Sequence, residues 1–192
     1  LQKLPTISQR PCSHWDERPD ASDISLLVIH NISLPPGEFS APSSPTSYID
    51  DFFGGRLDCS AHPYFEKLRG LRVSAHCVIY RDGRIWQYVP FNKRAWHAGL
   101  SDYQGRDKCN DFSIGIELEG TDDTPYTPLQ YQSLIALCHT LIQQYPLLSV
   151  QRIVGHSDIA PGRKTDPGPA FNWSDFLAEL TALQHAGRTQ LE

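Results

Sequence analysis

No apolar run in this chain approaches the roughly 18 residues that a membrane-spanning helix needs, so no membrane partner is expected. Positive charge is also short. Lys and Arg number 17 against 22 Asp and Glu, a formal net charge of -5. Nucleic-acid binding begins with a basic footprint, and none is offered here. Cysteine is sparse and unpatterned. Cys12, Cys59, Cys77, Cys109 and Cys138 are odd in number and form no Cys-x-x-Cys pair. They read as free thiols in a reducing compartment, with one disulfide between two of them as the alternative. Internal repeats and low-complexity linkers are absent. Leu1 to Asp20 is polar with scattered prolines and has no apolar signal-peptide core. The chain starts at Leu1 rather than Met, which leaves open what preceded it.

What is present is the composition of a globular protein: 192 residues, 40% of them hydrophobic and 20% charged. That length suits one domain over 1–192, with a core from about 13 to 183 and a frayed tail over 185–192. A monomer is expected.

Leu26 to His30 is continuously apolar up to its last residue and reads as a buried strand. Residues 33–65 then form a long irregular stretch rich in Pro and Gly, with one short helix over Tyr48 to Phe53. Loops of that length are usually lids or binding loops, so this one is expected to border a site and to move when substrate enters. His76 to Tyr80 and Arg84 to Val89 are strand-like, and the Asp82-Gly83 pair between them signals a hairpin. Ser113 to Leu118 alternates cleanly, with Ile114, Ile116 and Leu118 on one face and Ser113, Gly115 and Glu117 on the other. Thr127, Pro128 and Gln130 have the form of a helix start with a capping box, and Pro146 ends that helix. Arg152 to Val154 is a short strand, and Asn172 caps a last helix with Trp173, Phe176, Leu177, Leu180 and Leu183 on its buried side. This order of elements predicts an α/β (α+β) fold, a mixed sheet flanked by helices.

The chemistry concentrates after that last short strand, in Gly155-His-Ser-Asp-Ile-Ala-Pro-Gly-Arg-Lys-Thr-Asp-Pro-Gly168. His156 follows one strand and His30 ends another. A lone histidine in such a place is most often a hydrogen-bonded core residue. A pair of them at two strand ends, followed by a carboxylate loop, shifts the reading toward a metal site. Three protein ligands leave a fourth position for water, as a catalytic zinc requires. Spacing does not decide whether Asp158 or Asp166 is the third ligand, and Asp158 also fits an outer hydrogen-bonding or turn-capping role. His62, His76 and His97 are further ligand candidates, although His76, at a strand start, is expected to pack in the core. His14, His139 and His185 read as surface or helix residues.

Glu117 is either a solvated edge glutamate or a general base, because the small residues at 113 and 115 leave room for a bound group beside it. Lys164 is either a surface lysine or an oxyanion partner. Trp96, amid small residues in Ala95-Trp-His-Ala-Gly99, is core or the wall of a cleft. Arg72, Arg106 and Lys108 are surface charges unless one of them faces that cleft, where it would bind a substrate carboxylate.

From about Ser13 to Trp173 the chain resembles the zinc-dependent N-acetylmuramoyl-L-alanine amidases of the type 2 class. The motifs that carry the resemblance are residues 26–39, Arg72 to His76, Arg94 to Gly99, Cys109 to Thr121 and Arg163 to Gly168. Ser40 to Ser47 departs from the pattern, being longer and richer in Ser and Pro. The resemblance implies that His30, His156 and Asp166 bind one catalytic Zn2+ ion, and that Asp158 does not. It implies that Glu117 rather than Glu119 is the catalytic acid and base, and that Lys164 serves the oxyanion. Asn31, Arg72, Trp96, His97 and Lys108 are the substrate-binding candidates. The implied fold is a central mixed β-sheet flanked by helices, shared with peptidoglycan-recognition proteins. The implied reaction hydrolyses the amide between the lactyl group of a muramic acid and L-alanine of its stem peptide. An anhydromuropeptide of the 1,6-anhydro sugar, met in the cytoplasm during cell-wall recycling, is the expected substrate. Clearing it lowers the signal that induces β-lactamase in some Gram-negative bacteria. Two alternatives are an envelope amidase acting on intact peptidoglycan, which a signal sequence upstream of Leu1 would favour, and a non-catalytic peptidoglycan-binding module, which would lack a complete ligand set.

Overall fold

The computed structural model describes residues 6–189. In chain order its strands are β1 (Ile7–Gln9), β2 (Trp15–Asp16), β3 (Leu26–Ile32), β4 (Cys77–Ile79), β5 (Ile85–Gln87), β6 (Arg94–Ala95), β7 (Asp102–Tyr103), β8 (Arg106–Asp107), β9 (Ser113–Glu119) and β10 (Ile153–Gly155). Its α-helices are α1 (Tyr48–Phe53), α2 (Pro128–Gln144), α3 (His156–Ile159) and α4 (Trp173–Thr189). A six-stranded sheet runs in the order β1-β5-β4-β9-β3-β10. Only the β4–β5 hairpin within it is antiparallel, so the sheet is mixed, as the sequence predicts.

The run Leu26–Ile29 forms the buried start of β3 because that strand has neighbours on both sides and cover on both faces. On one face Leu27 and Ile29 join Ile114, Ile116 and Leu118 of β9 in a core closed by Leu134, Cys138 and Leu141 of α2 and Phe176 and Leu180 of α4. On the other face Leu26 and Val28 pack with Phe112 and Ile159. The strict alternation of β9 therefore sends Ser113, Gly115 and Glu117 to the face that α2 and α4 leave free. Glu117 lies on a central strand between β3 and β4, not on an edge.

Local signals hold where the side chain itself makes the turn or cap. Gly83 takes φ +82° in the hairpin, a conformation that favours glycine. Thr127 Oγ1 accepts from the backbone N–H of Gln130 at 3.1 Å, and Gln130 Oε1 accepts from that of Thr127 at 3.0 Å. Asn172 Oδ1 accepts from the backbone N–H of Asp175 at 3.1 Å. All five cysteines are free thiols.

Several boundaries differ from expectation. β1 extends the sheet upstream of residue 13 through its pairing with β5, although nothing apolar beyond Ile7 marks it. At the other end α4 stays helical to Thr189, beyond Leu183, which packs against the core; residues 190–192 of the expected frayed tail lie outside the described residues. His14, expected at the surface, is buried, because the β2–β6 pairing draws this segment under Trp96; its Nδ1 lies 3.0 Å from the Val73 carbonyl. The stretch 33–65 is tied down at several points. The backbone N–H of Ser40 donates to Glu119 Oε1 at 2.7 Å and that of Ser43 to Asp82 Oδ2 at 2.8 Å, while Ser47 caps α1.

Candidate active site

Two elements of the main sheet and the loop after a third bring the candidate residues together. His30 and Glu117 are register partners across β3 and β9, so the two-residue period of each strand delivers both side chains to one face. Beyond His30, β10 pairs with β3 and ends at Gly155, and His156 opens the single turn of α3. The chain then folds back. Lys164 donates its backbone N–H to the Ala160 carbonyl, and Ser157 donates its own to the carbonyl of Asp166 at 3.0 Å. This return, rather than proximity in sequence, puts Asp166 against the histidines. Asp158 points elsewhere, accepting from the Gly155 N–H at 2.7 Å as a turn cap.

Three side-chain atoms converge. His30 Nδ1 and His156 Nδ1 are 3.0 Å apart, His156 Nδ1 and Asp166 Oδ2 3.1 Å, and His30 Nδ1 and Asp166 Oδ2 3.2 Å. The edge of a tetrahedron with metal–ligand bonds of about 2.0–2.1 Å is roughly 3.3 Å, close to this triangle. The donor chemistry agrees. His156 Nε2 faces the Ala98 carbonyl at 3.1 Å. A carbonyl only accepts, so Nε2 carries the ring proton and Nδ1 presents its lone pair. Two imidazoles and a carboxylate facing one point can hold a metal ion. Burial pushes the pKa of His30 down to about 4, which keeps its ring neutral at pH 7 as a ligand must be. Burial alone would raise Asp166, but the adjacent His156 and His30 rings outweigh it and hold the carboxyl below its ordinary pKa.

Glu117 is a different carboxyl. Its Oε2 is sealed from solvent and has no hydrogen-bond partner among the described residues. Burial, then the charge of Asp166, pushes its pKa well above the ordinary value, while Lys164 pulls the other way. A carboxylate raised in this way is a stronger proton acceptor near neutral pH.

These residues line one cleft of about 680 Å³, together with Asn31, Trp96, His97, Tyr64, Phe52 and Asp122. Burial holds the His97 ring neutral, its pKa well below 6.5. The amide nitrogen of Asn31 is spent on structure. It donates to Asp122 Oδ1 at 2.8 Å, to the Tyr126 hydroxyl at 3.1 Å and to the Pro167 carbonyl at 3.3 Å, bracing the loop that carries Asp166. Trp96 is a half-buried wall whose Nε1 donates to Asp16 Oδ1 at 3.1 Å. Arg72 is exposed beside it, its guanidinium 5.6 Å from the ring centre, and does not line the cleft. Lys108 does not line it either. It is an exposed residue with φ +57° at the start of the turn Cys109–Asp111. Arg106 pairs with Asp23 at 2.6 Å over the ring of Phe112. His62 caps the turn Pro63–Leu68, and His76 is buried with its Nδ1 accepting from the Gly115 N–H at 3.0 Å, so neither joins the triangle of His30, His156 and Asp166.

One expectation is corrected in an informative way. The room left by Ser113 and Gly115 is already filled, by the imidazole of His97. A Cβ placed on Gly115 would lie 2.4 Å from His97 Cγ, and Ser113 Oγ is 3.1 Å from His97 Nε2. Asp122, Asn110, Arg163 and Tyr64 were not singled out from the sequence. They sit in loops and single turns, where neither period nor spacing marks them.

Residues 20–169 match the N-acetylmuramoyl-L-alanine amidase family, and the chain belongs to it. Among its relatives, the 1,6-anhydro-N-acetylmuramyl-L-alanine amidase AmpD of Citrobacter freundii is 58% identical over 179 residues, 93% of this chain and 92% of the relative. The crystal structure of a selenomethionine AmpD derivative superimposes with a TM-score of 0.85 at 56% identity, covering 93% of this chain and 96% of that one. AmpDh3 from Pseudomonas aeruginosa, solved in complex with anhydromuramic pentapeptide, gives a TM-score of 0.61 at 31% identity, over 85% of this chain and 62% of that one.

Proposed function

We propose that the protein is a zinc-dependent amidase of cell-wall recycling. It cleaves the amide between the lactyl group of 1,6-anhydro-N-acetylmuramic acid and L-alanine of the stem peptide, in the cytoplasm. The observation that carries the reading is the triangle of His30, His156 and Asp166 with Glu117 beside it as register partner of His30. The similarity to AmpD supports the choice of the anhydro sugar. No helix among the described residues is long and apolar enough to cross a membrane.

Zinc held by His30, His156 and Asp166 would supply a Lewis acid for the scissile carbonyl and lower the pKa of water from 15.7 toward about 7. The protein's own groups do the remaining work. Glu117, buried and raised in pKa, takes a proton from the attacking water and later delivers it to the leaving amine of L-alanine, so that the products are a carboxylic acid and an amine, which ionise at neutral pH to carboxylate and ammonium. Lys164, lining the same cleft, places its ammonium where negative charge develops on the carbonyl oxygen. Trp96, Tyr64 and Phe52 give the cleft aromatic walls against which sugar and peptide pack. Arg72 at the rim offers a cation to a stem-peptide carboxylate.

The test is a digest of purified anhydromuropeptide beside intact sacculi, read by mass spectrometry with and without a zinc chelator. Chelator-sensitive release of peptide from the anhydro sugar is expected. Release from sacculi alone would overturn the assignment in favour of an envelope amidase, and binding without release would make the protein a recognition module.

A further inference from the structure

We infer that His97 is a positioning residue. Its Nδ1 accepts the Nε2 proton of His30 and thereby holds His30 in the tautomer whose Nδ1 lone pair faces His156 and Asp166. The inference rests on the zinc reading of that triangle.

The direction of each hydrogen bond follows from one fixed end. The Cys109 carbonyl can only accept, and Ser113 Oγ donates its single proton there at 2.5 Å. Ser113 Oγ must then accept from its other neighbour, His97 Nε2, at 3.1 Å. A neutral imidazole protonated at Nε2 offers a lone pair at Nδ1. That Nδ1 lies 2.8 Å from His30 Nε2, and the two rings meet edge-on at 89° instead of stacking. His30 Nε2 is therefore the donor, and His30 Nδ1 is left as the acceptor at the metal position. Packing alone would be met by any ring of this size. It would not need a directed chain of bonds that ends on a backbone carbonyl.

The adjacent residue does the same for the second ligand, since the Ala98 carbonyl accepts from His156 Nε2. One dipeptide thus gives one acceptor to each imidazole. Its backbone is held from two sides. Asn110 Oδ1 accepts from the N–H groups of His97 at 3.1 Å and Ala98 at 2.8 Å. Arg163 Nη2 donates to the carbonyls of Ala98 and Leu100, both at 2.7 Å. Gly115 leaves the space that the His97 ring occupies. Outer-shell partners of this kind raise the basicity of a ligating histidine and fix its orientation.

The experiment combines zinc affinity, measured by competition with a chromophoric chelator, with ¹⁵N NMR of the histidine rings in the zinc-loaded parent protein. The spectra should show His30 protonated at Nε2 and His97 unprotonated at Nδ1. His97→Leu should weaken zinc binding by about 10–100-fold. His97→Asn, which can place Oδ1 where Nδ1 was, should recover most of that loss, whereas a role in packing alone would not separate the two variants this way. Gly115→Ala, which displaces the ring, should resemble His97→Leu. A folded His97→Leu protein with unchanged zinc affinity overturns the inference. So does a parent spectrum with His97 protonated at Nδ1, a result that needs no variant to fold. A parent protein that binds zinc no better than His30→Ala defeats the zinc reading itself, and is told apart from the other failures by that control.

Discussion

His30 and Glu117 are register partners on neighbouring parallel strands, so one proposed metal ligand and the proposed proton carrier share one rigid ladder. Neither depends on a loop for its place. The loop 160–168 brings only what closes the site, Lys164 and Asp166. This division makes the proposed chemistry separable by substitution.

Glu117→Gln removes the proton carrier and keeps the shape. The rate should fall by about 10²–10⁴-fold with zinc affinity little changed, and the acid limb of the pH–rate profile should go with it, because the ionised carboxylate is the active form. Stability gives an independent check in the metal-free protein. Burial raises the folded-state pKa of Glu117. Its contribution to stability is thus fully present below the unfolded value of about 4.3 and is lost as pH rises through the folded value. The Gln variant should gain in melting temperature relative to the parent as pH rises from about 4 to about 8. Parallel melting curves across that range would remove the buried-carboxyl account.

Lys164→Ala should cost about a hundred- to a thousandfold in kcat, the loss typical of one oxyanion stabiliser. Lys164 is exposed in the cleft and is not part of the proposed metal-ligand triangle, so zinc content should be unchanged. Near-normal turnover in the zinc-loaded variant would take Lys164 out of the mechanism.

Chelation should destabilise the fold as well as stop the reaction, because the triangle forms only when β3, β10 and the 160–168 loop are in place. At a free zinc concentration a hundred times Kd, mass action contributes about 2.7 kcal/mol. For a chain of this size that is roughly 5–11 °C in melting temperature. Calorimetry with chelator, with added zinc, and on His156→Ala under both conditions checks it. A zinc-dependent shift that survives in His156→Ala would place the ion elsewhere.

The parts of this site legible in the sequence are those that regular periods position. The apolar run ending at His30 and the alternation through Glu117 placed both residues without knowledge of the fold. The triangle was not legible from spacing, because Asp166 reaches it through a backbone return, and Asp158, nearer in sequence, turns away to cap Gly155. His97 was visible as a histidine amid small residues, but its use was not. The cue was split between Gly115, which vacates the space, and a turn some 18 residues earlier in the chain that fills it. Lys108 and Arg72 do not line the cleft, for a related reason. Charge type is plain in a sequence, but the direction a loop presents it is not.

Asp122 shows what such hidden parts contribute. Its carboxylate accepts from Asn31 Nδ2 at 2.8 Å and from Thr165 Oγ1 at 2.5 Å, and its backbone carbonyl accepts from the N–H of Ala170. It thereby fastens the loop carrying Lys164 and Asp166 to the end of β3. Gly168, at φ +77°, packs so closely on it that an added Cβ would lie 2.3 Å from Asp122 Cα. Asp122→Ala removes one acceptor from partly buried Asn31, which keeps its Tyr126 and Pro167 partners, and the acceptor of the exposed Thr165 hydroxyl, a loss of about 1 kcal/mol in stability. Because that loop supplies the proposed third ligand, zinc affinity should fall in the same variant although no proposed ligand has been touched. Asp122→Asn, which keeps one acceptor oxygen, should fall between the two. Calorimetry beside a chelator competition reads both effects, and a variant that melts lower yet binds zinc like the parent would show that the loop holds Asp166 without this brace.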